Sequence, residues 1–141
     1  MATLTASNSN TRKAAFRNTR TFLLNNITGV GTRVYGSYPV TNIQLPLIVV
    51  ENGIKGEDEL SVNSNTLSRP IIIPVTVYSK QSEKIDSLAD EIETVLLTSS
   101  SNYSAQNMFL DRITDLGEGS QFIDIKGNKV HGKTLSVELT V

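Results

Sequence analysis

Residues Leu45-Pro46-Leu47-Ile48-Val49-Val50 form a continuous apolar run. It is too short for a buried helix and rich in β-branched side chains, so it reads as a strand buried on both faces or central in a sheet. The strand is expected over Leu45 to Asn52. A turn-rich aromatic stretch, Tyr35-Gly36-Ser37-Tyr38-Pro39, precedes it. There the pattern predicts a short strand from Thr32 to Tyr38, broken at Pro39.

On either side of this pair the period changes. From Thr11, the residues Ala15, Phe16, Thr19, Phe22, Leu23 and Ile27 recur at three- and four-residue steps and predict an amphipathic helix. Thr11 is its candidate N-cap, and Gly29 and Gly31 are placed to end it. Residues 1–10, rich in Ser, Thr and Asn, read as a frayed, disordered polar leader. Downstream, Pro70 to Ser79 alternates, with Ile71, Ile73, Val75 and Val77 on one face. Because Pro70 and Pro74 cannot donate ladder hydrogen bonds, this strand is expected at an edge or with an irregular start. Ser82 is read as the cap of a second helix, with Glu83 and Asp86 near its positive end and an apolar stripe through Ile85, Leu88, Ala89, Ile92, Val95 and Leu96.

Residues Thr98 to Ser104 read as a loop. The last third predicts strands at Met108 to Leu116, at Phe122 to Ile125 and at Lys133 to Val141, with Gly117-Glu118-Gly119 ending the first of them. Helix, strands, helix, strands in one chain of 141 residues predicts a single α+β domain over residues 11–141. Its sheet is largely antiparallel, of about five strands, with two helices packed on one face.

The chemistry-bearing residues are sparse. There is no cysteine, which removes disulfides, thiolate metal sites and thiol nucleophiles, and His131 is the single histidine. No serine sits in a Gly-x-Ser-x-Gly turn. Gly29-Val30-Gly31 precedes a strand, the reverse of a dinucleotide fingerprint. The acids Asp111, Asp115, Glu118 and Asp124 fall in one region; a metal-dependent enzyme would use Asp111 and Asp115, whereas a solvated strand edge needs no such role. A net charge of −1 provides no global field for nucleic acid, and no apolar run approaches the ~20 residues of a membrane helix. No cofactor is implied.

Two charged segments remain. Arg12, Lys13, Arg17 and Arg20 lie on the polar face of the first helix. The long polar connection from Gly53 to Ser68 carries Glu57, Asp58 and Glu59, followed by Leu60 and then Arg69. In a ring of identical subunits, the acidic segment of one copy would meet the basic face of its neighbour in a head-to-tail contact.

The order of these segments resembles the tail terminator family of long-tailed bacteriophages, also called tail completion or head-to-tail joining proteins. The resemblance is carried by the N-terminal helix, Tyr35 to Pro39, Leu45 to Val50, Pro74-Val75-Thr76-Val77-Tyr78-Ser79-Lys80, the helix bearing Leu88-Ala89-Asp90-Glu91-Ile92, and the final alternating strand. It covers residues 12 to 141; the leader Met1 to Asn10 and the stretch Gln121 to Lys133 depart from it. It implies a virion protein of the tail or neck, assembled in the host cytoplasm, that forms a homohexameric ring on the head-proximal end of the tail tube. Such a ring stops tube polymerisation and joins the head connector or stopper protein. DNA passes through it without sequence-specific binding, and no catalytic residue or membrane contact is implied. The interface residues would be Glu57, Asp58, Glu59, Leu60 and Arg69 with Arg12, Arg17 and Arg20. Other readings are a different phage neck or tail-tube component, the small metal-dependent enzyme, or a monomeric binding module.

Overall fold

A computed structural model describes residues 3–7, 10–40, 43–51, 54–55, 58–59, 67–68, 70–123, 127 and 129–140. Its elements run α1 (Thr11–Asn26), β1 (Val34–Tyr35), β2 (Leu47–Val50), β3 (Ile54–Lys55), β4 (Asp58–Glu59), β5 (Leu67–Ser68), β6 (Pro70–Ser79), α2 (Ser82–Thr98), α3 (Ser100–Ala105), β7 (Phe109–Ile123) and β8 (Lys129–Thr140). The protein is α+β. Its main sheet has the order β1-β2-β6-β8-β7, antiparallel except for the β1–β2 pair, and β3 continues the line of β2 along β6. β4 and β5 pair with each other in a separate two-stranded sheet.

β6 organises the core. Ile71, Ile73, Val75 and Val77 are fully buried on one face, and the register places Ile48 and Val50 of β2 and Leu135, Val137 and Leu139 of β8 beside them. Onto this apolar surface α1 lays Ala15, Phe22 and Leu23, and α2 lays Leu88, Ala89, Ile92 and Leu96. Each fully buried Ile or Leu contributes roughly 2 kcal/mol through removal of apolar area from water.

The two prolines do not put β6 at an edge: it is the central strand, bonded to β2 and β3 on one side and β8 on the other. The Pro74 carbonyl accepts the Glu51 N–H at 2.9 Å. The Pro74 ring nitrogen lies on that same side, where β2 has ended at Val50 and β3 has not begun. The missing donor thus coincides with an interruption in the neighbouring strand.

Other boundaries shift. Thr11 and Ser82 are the first helical residues rather than caps; Asn10 and Gln81 hold the cap positions, and neither makes a side-chain capping bond. The strand expected from Thr32 to Tyr38 is reduced to Val34–Tyr35, and that from Leu45 to Leu47–Val50. Gly117 does not end a strand. β7 runs on to Ile123, and the chain absorbs Gly117, at φ +83°, as a register irregularity between Asp115 and Glu118. The loop expected after Thr98 contains the short helix α3, anchored by fully buried Tyr103. The Tyr103 ring meets Phe22 edge-on at a 4.7 Å centroid distance, and its hydroxyl shares a 2.7 Å hydrogen bond with Thr19.

The leader, expected to be frayed, is tied down over residues 3–7. Asn18, wholly buried on α1, treats Leu4 as a strand neighbour would: its Oδ1 accepts the Leu4 N–H at 2.7 Å and its Nδ2 donates to the Leu4 carbonyl at 2.8 Å. The Ala6 N–H reaches the Gln106 carbonyl at 2.8 Å, and Ala6 itself is buried. A buried amide must find such partners, and here the leader supplies them.

Candidate subunit interface

The basic residues of α1 divide into two kinds. Arg12 and Lys13 are exposed and Arg17 is half-buried, whereas Arg20 turns its Nε to the Val34 carbonyl at 2.9 Å and so braces β1. Arg20 is therefore engaged in the fold itself. Of the acidic segment, Asp58 and Glu59 lie in β4, opposite Ser68 and Leu67 of β5. Glu57, Leu60 and Arg69 lie outside the described residues.

The carboxylates of β7 do not converge. The Thr140 hydroxyl donates to Asp111 Oδ2, while Asp115 reaches Lys133 on the helix side of the sheet. Asp124 lies outside the described residues, and Glu118 pairs through its backbone with Lys133. Among the described residues no group of three His, Cys, Asp or Glu side chains is placed to hold a metal ion. His131 is half-buried in mid-strand, opposite Ser79 on one side and Gln121 on the other.

One ionic cluster was not legible beforehand. Lys133 Nζ lies 2.9 Å from Asp115 Oδ2 and 3.0 Å from Asp86 Oδ1, so a single cation joins β7 to the first turns of α2. Its side chain is only 15% exposed. The hydrogen bond to Asp115 and then that to Asp86 raise the Lys133 ammonium above its ordinary range. In turn the Lys133 hydrogen bond holds the Asp115 carboxyl low, helped by the Gly117 N–H at 2.7 Å. Asp86 and Lys133 are 47 positions apart, and the packing of α2 on the sheet brings them together, while the β7–β8 register brings in Asp115.

The outer edge of the sheet is the second feature. Among the described residues β7 pairs with β8 alone, yet it is the longest strand, and Phe109, Leu116 and Ile123 stand well exposed on it. Edge strands are commonly blunted by irregularities, and β7 has register shifts at Leu110/Arg112, Asp115/Glu118 and Glu118/Ser120. Arg112 on this edge pairs with Glu138 across the ladder. No described helix is long and apolar enough to cross a membrane.

These elements define an α+β domain with a helix layer on one face of the sheet and, among the described residues, a long edge strand paired on one side. No described protein family matches the chain, and no curated protein does. Its fold is similar to that of a chain in the solved structure of the virion of a native gene transfer agent (GTA) particle. The TM-score is 0.50 over 79% of this chain and 81% of that one, at 9% sequence identity. At that identity the likeness establishes a shared fold.

Proposed function

We propose that this chain is a virion structural protein, and more narrowly a tail terminator. It forms a homohexameric ring on the head-proximal end of the phage tail tube, halts tube polymerisation and offers its other face to the head connector or stopper protein. DNA passes through the ring without sequence-specific contacts. The observation that carries the reading is the fold shared with a chain of a virion particle over four-fifths of both chains. The order of sequence segments independently resembles the terminator family. The exposed apolar side chains of β7 and the charged α1 surface suit a protein whose work is contact with other proteins. Glu57, Asp58, Glu59, Leu60 and Arg69 are assigned to the subunit or tube interface, along with Arg12 and Arg17; Arg20 supports that surface from beneath.

The test is native mass over a range of concentrations, with and without purified tail tubes, together with electron microscopy of the tube ends. A sixfold species seated at one tube end, with elongation arrested, is expected. A chain that stays monomeric and leaves tube growth unchanged overturns the proposal.

A further inference from the structure

The two long helices carry opposite charge. α1 holds Arg12, Lys13, Arg17 and Arg20 and no acid, whereas α2 holds five acids against the single base Lys84. The whole chain is nearly neutral, at −1, so charge is segregated by element and not in excess. The helices lie side by side in the same layer, on the same face of the sheet.

Each helix gathers most of its charge on one side, exposed on α2 apart from half-buried Glu93 and partly covered on α1, where Phe16, Arg17, Arg20 and Leu24 are half-buried. At about 100° per residue, Lys13, Phe16, Arg17, Arg20 and Leu24 fall within an arc of roughly 100° on α1, and Arg12 lies about 40° outside it, within reach only through its long side chain. On α2 the same geometry gathers Glu83, Asp86, Asp90, Glu93 and Leu97 into a comparable arc, opposite buried Ile85, Leu88, Ala89, Ile92 and Leu96. Arg12 to Arg20 spans about 12 Å along its axis and Glu83 to Glu93 about 15 Å, so the stripes match in length. Within one copy Asp86 is taken by Lys133 and Arg20 by the Val34 carbonyl, and the rest of these charges have no opposite partner among the described residues. Arg12, Lys13 and Arg17 pair with no acid among the described residues, and Glu83, Asp90 and Glu93 pair with no base. Leu97, 52% exposed, lies within the acidic stripe.

α1 also breaks a local rule. Arg12 and Lys13 sit in the first turn, where the backbone dipole is already positive, and no acidic residue occupies that turn. An external anionic surface would offset that arrangement. Nucleic acid fits poorly, because α2 presents carboxylates alongside α1 on the same face and would repel phosphates. A partner with an acidic stripe of matching length, beside a basic one, fits well, and a second copy of this chain has both.

We propose that α1 of one copy packs against α2 of another, with Arg12, Lys13 and Arg17 facing Glu83, Asp90 and Glu93. The proposal rests on the self-assembly read above and gives the α1 cations the acidic stripe of α2, in place of the Glu57–Glu59 segment, as their partner across copies. Complementary charge of this kind sets partner choice and register more than raw affinity.

The experiment uses the full chain in two reversed forms. One carries Arg12→Glu with Arg17→Glu; the other carries Asp90→Lys with Glu93→Lys. Each alone should weaken self-association by about tenfold or more, as sedimentation equilibrium and native mass spectrometry read it. An equimolar mixture should restore it, because each form then meets its complement. Circular dichroism checks folding, and the milder pair Arg12→Gln with Arg17→Gln carries the test if a reversed form unfolds, with an intermediate loss expected. A restored sixfold species supports both this contact and the ring. A restored pair supports the contact and removes the ring. A wild-type ring indifferent to either reversal, or a mixture that fails to recover, overturns the contact while leaving the terminator reading in place. A monomeric wild type overturns both. Loss of DNA retention in the α1 variant at unchanged native mass overturns the contact in favour of nucleic acid.

Discussion

β6 and β7 flank the same strand, β8, in the same sheet, yet they serve the fold differently. β6 is bonded along both edges, buries Ile71, Ile73, Val75 and Val77, and keeps ten consecutive pairs with β8 in unbroken register. β7 is bonded along one edge, shifts register repeatedly, and leaves Phe109, Leu116 and Ile123 exposed. A one-residue slip of β6 would turn its four apolar side chains away from the helices, so burial pins its register. Much less of β7 is buried, and it tolerates extra residues. Sharing a hydrogen-bonding neighbour does not make two strands equivalent; what lies over their faces does.

The largest expected effect is on the β6 side. Ile73→Ala should cost about 3 kcal/mol in denaturant unfolding, through lost burial and a residual cavity. Leu116→Ala on β7 should cost no more than about 0.5 kcal/mol. Equal costs would break the comparison.

Next comes the helix layer above β6. Asn18→Ala leaves the Leu4 N–H and carbonyl without their partner and should cost about 2 kcal/mol. Asn18→Asp keeps the acceptor for the Leu4 N–H but loses the donor to the Leu4 carbonyl and buries a charge, so it should not rescue the loss. Unchanged unfolding midpoints in both variants would show that the leader contributes nothing to the fold.

Lys133→Met cuts the tie between β7 and α2 and should cost about 1 kcal/mol or less, because both carboxylate partners are substantially exposed. Its pH dependence is more diagnostic. The depressed Asp115 contributes stability that is present above its unfolded pKa of about 3.9 and is lost as pH falls through its lower folded value. The raised Lys133 contributes below its unfolded pKa of about 10.4 and loses that contribution only at still higher pH. The stability difference between wild type and Lys133→Met should therefore be flat from about pH 5 to 10 and shrink below about pH 4. A difference unchanged at pH 3 would remove the ionic account. The smallest effect is kinetic: outward-facing β7 amides should exchange hydrogen faster than any amide of β6 between Ile71 and Val77.

Much of the fold was legible because it rests on periodicity. The helices at Thr11–Asn26 and Ser82–Thr98 and the strand at Pro70–Ser79 follow from where apolar residues recur. The misreadings share a cause. Ser100–Ala105 has a loop composition, and Tyr103 is held by Phe22 and Thr19 from α1. Gly117 carries a stop signal, and the strand continues because β8 is there to pair with it. Pro74 signals an edge, and the gap beside Glu51 accommodates it. In each, a residue distant in sequence overrides a local preference.

The charged segments were legible as charged segments, not in what they touch. The cations of α1 were visible as a charged face, but one of them, Arg20, proved to be a brace for β1. Asp111 and Asp115 looked like a pair and instead reach Thr140 and Lys133 separately. The acidic residues of α2 were present one by one, yet only the fold sets them beside α1 in one layer.

By itself the sequence determined the class: hydrophobic periods of 3.6 and 2 dictate which segments become helices and strands and which face each one buries. The tertiary structure alone decided strand order, the central place of β6, the anchoring of the leader on Asn18 and the meeting of Asp86, Lys133 and Asp115. Those depend on distances between residues tens of positions apart, which are set by packing and register and leave no periodic trace in the chain.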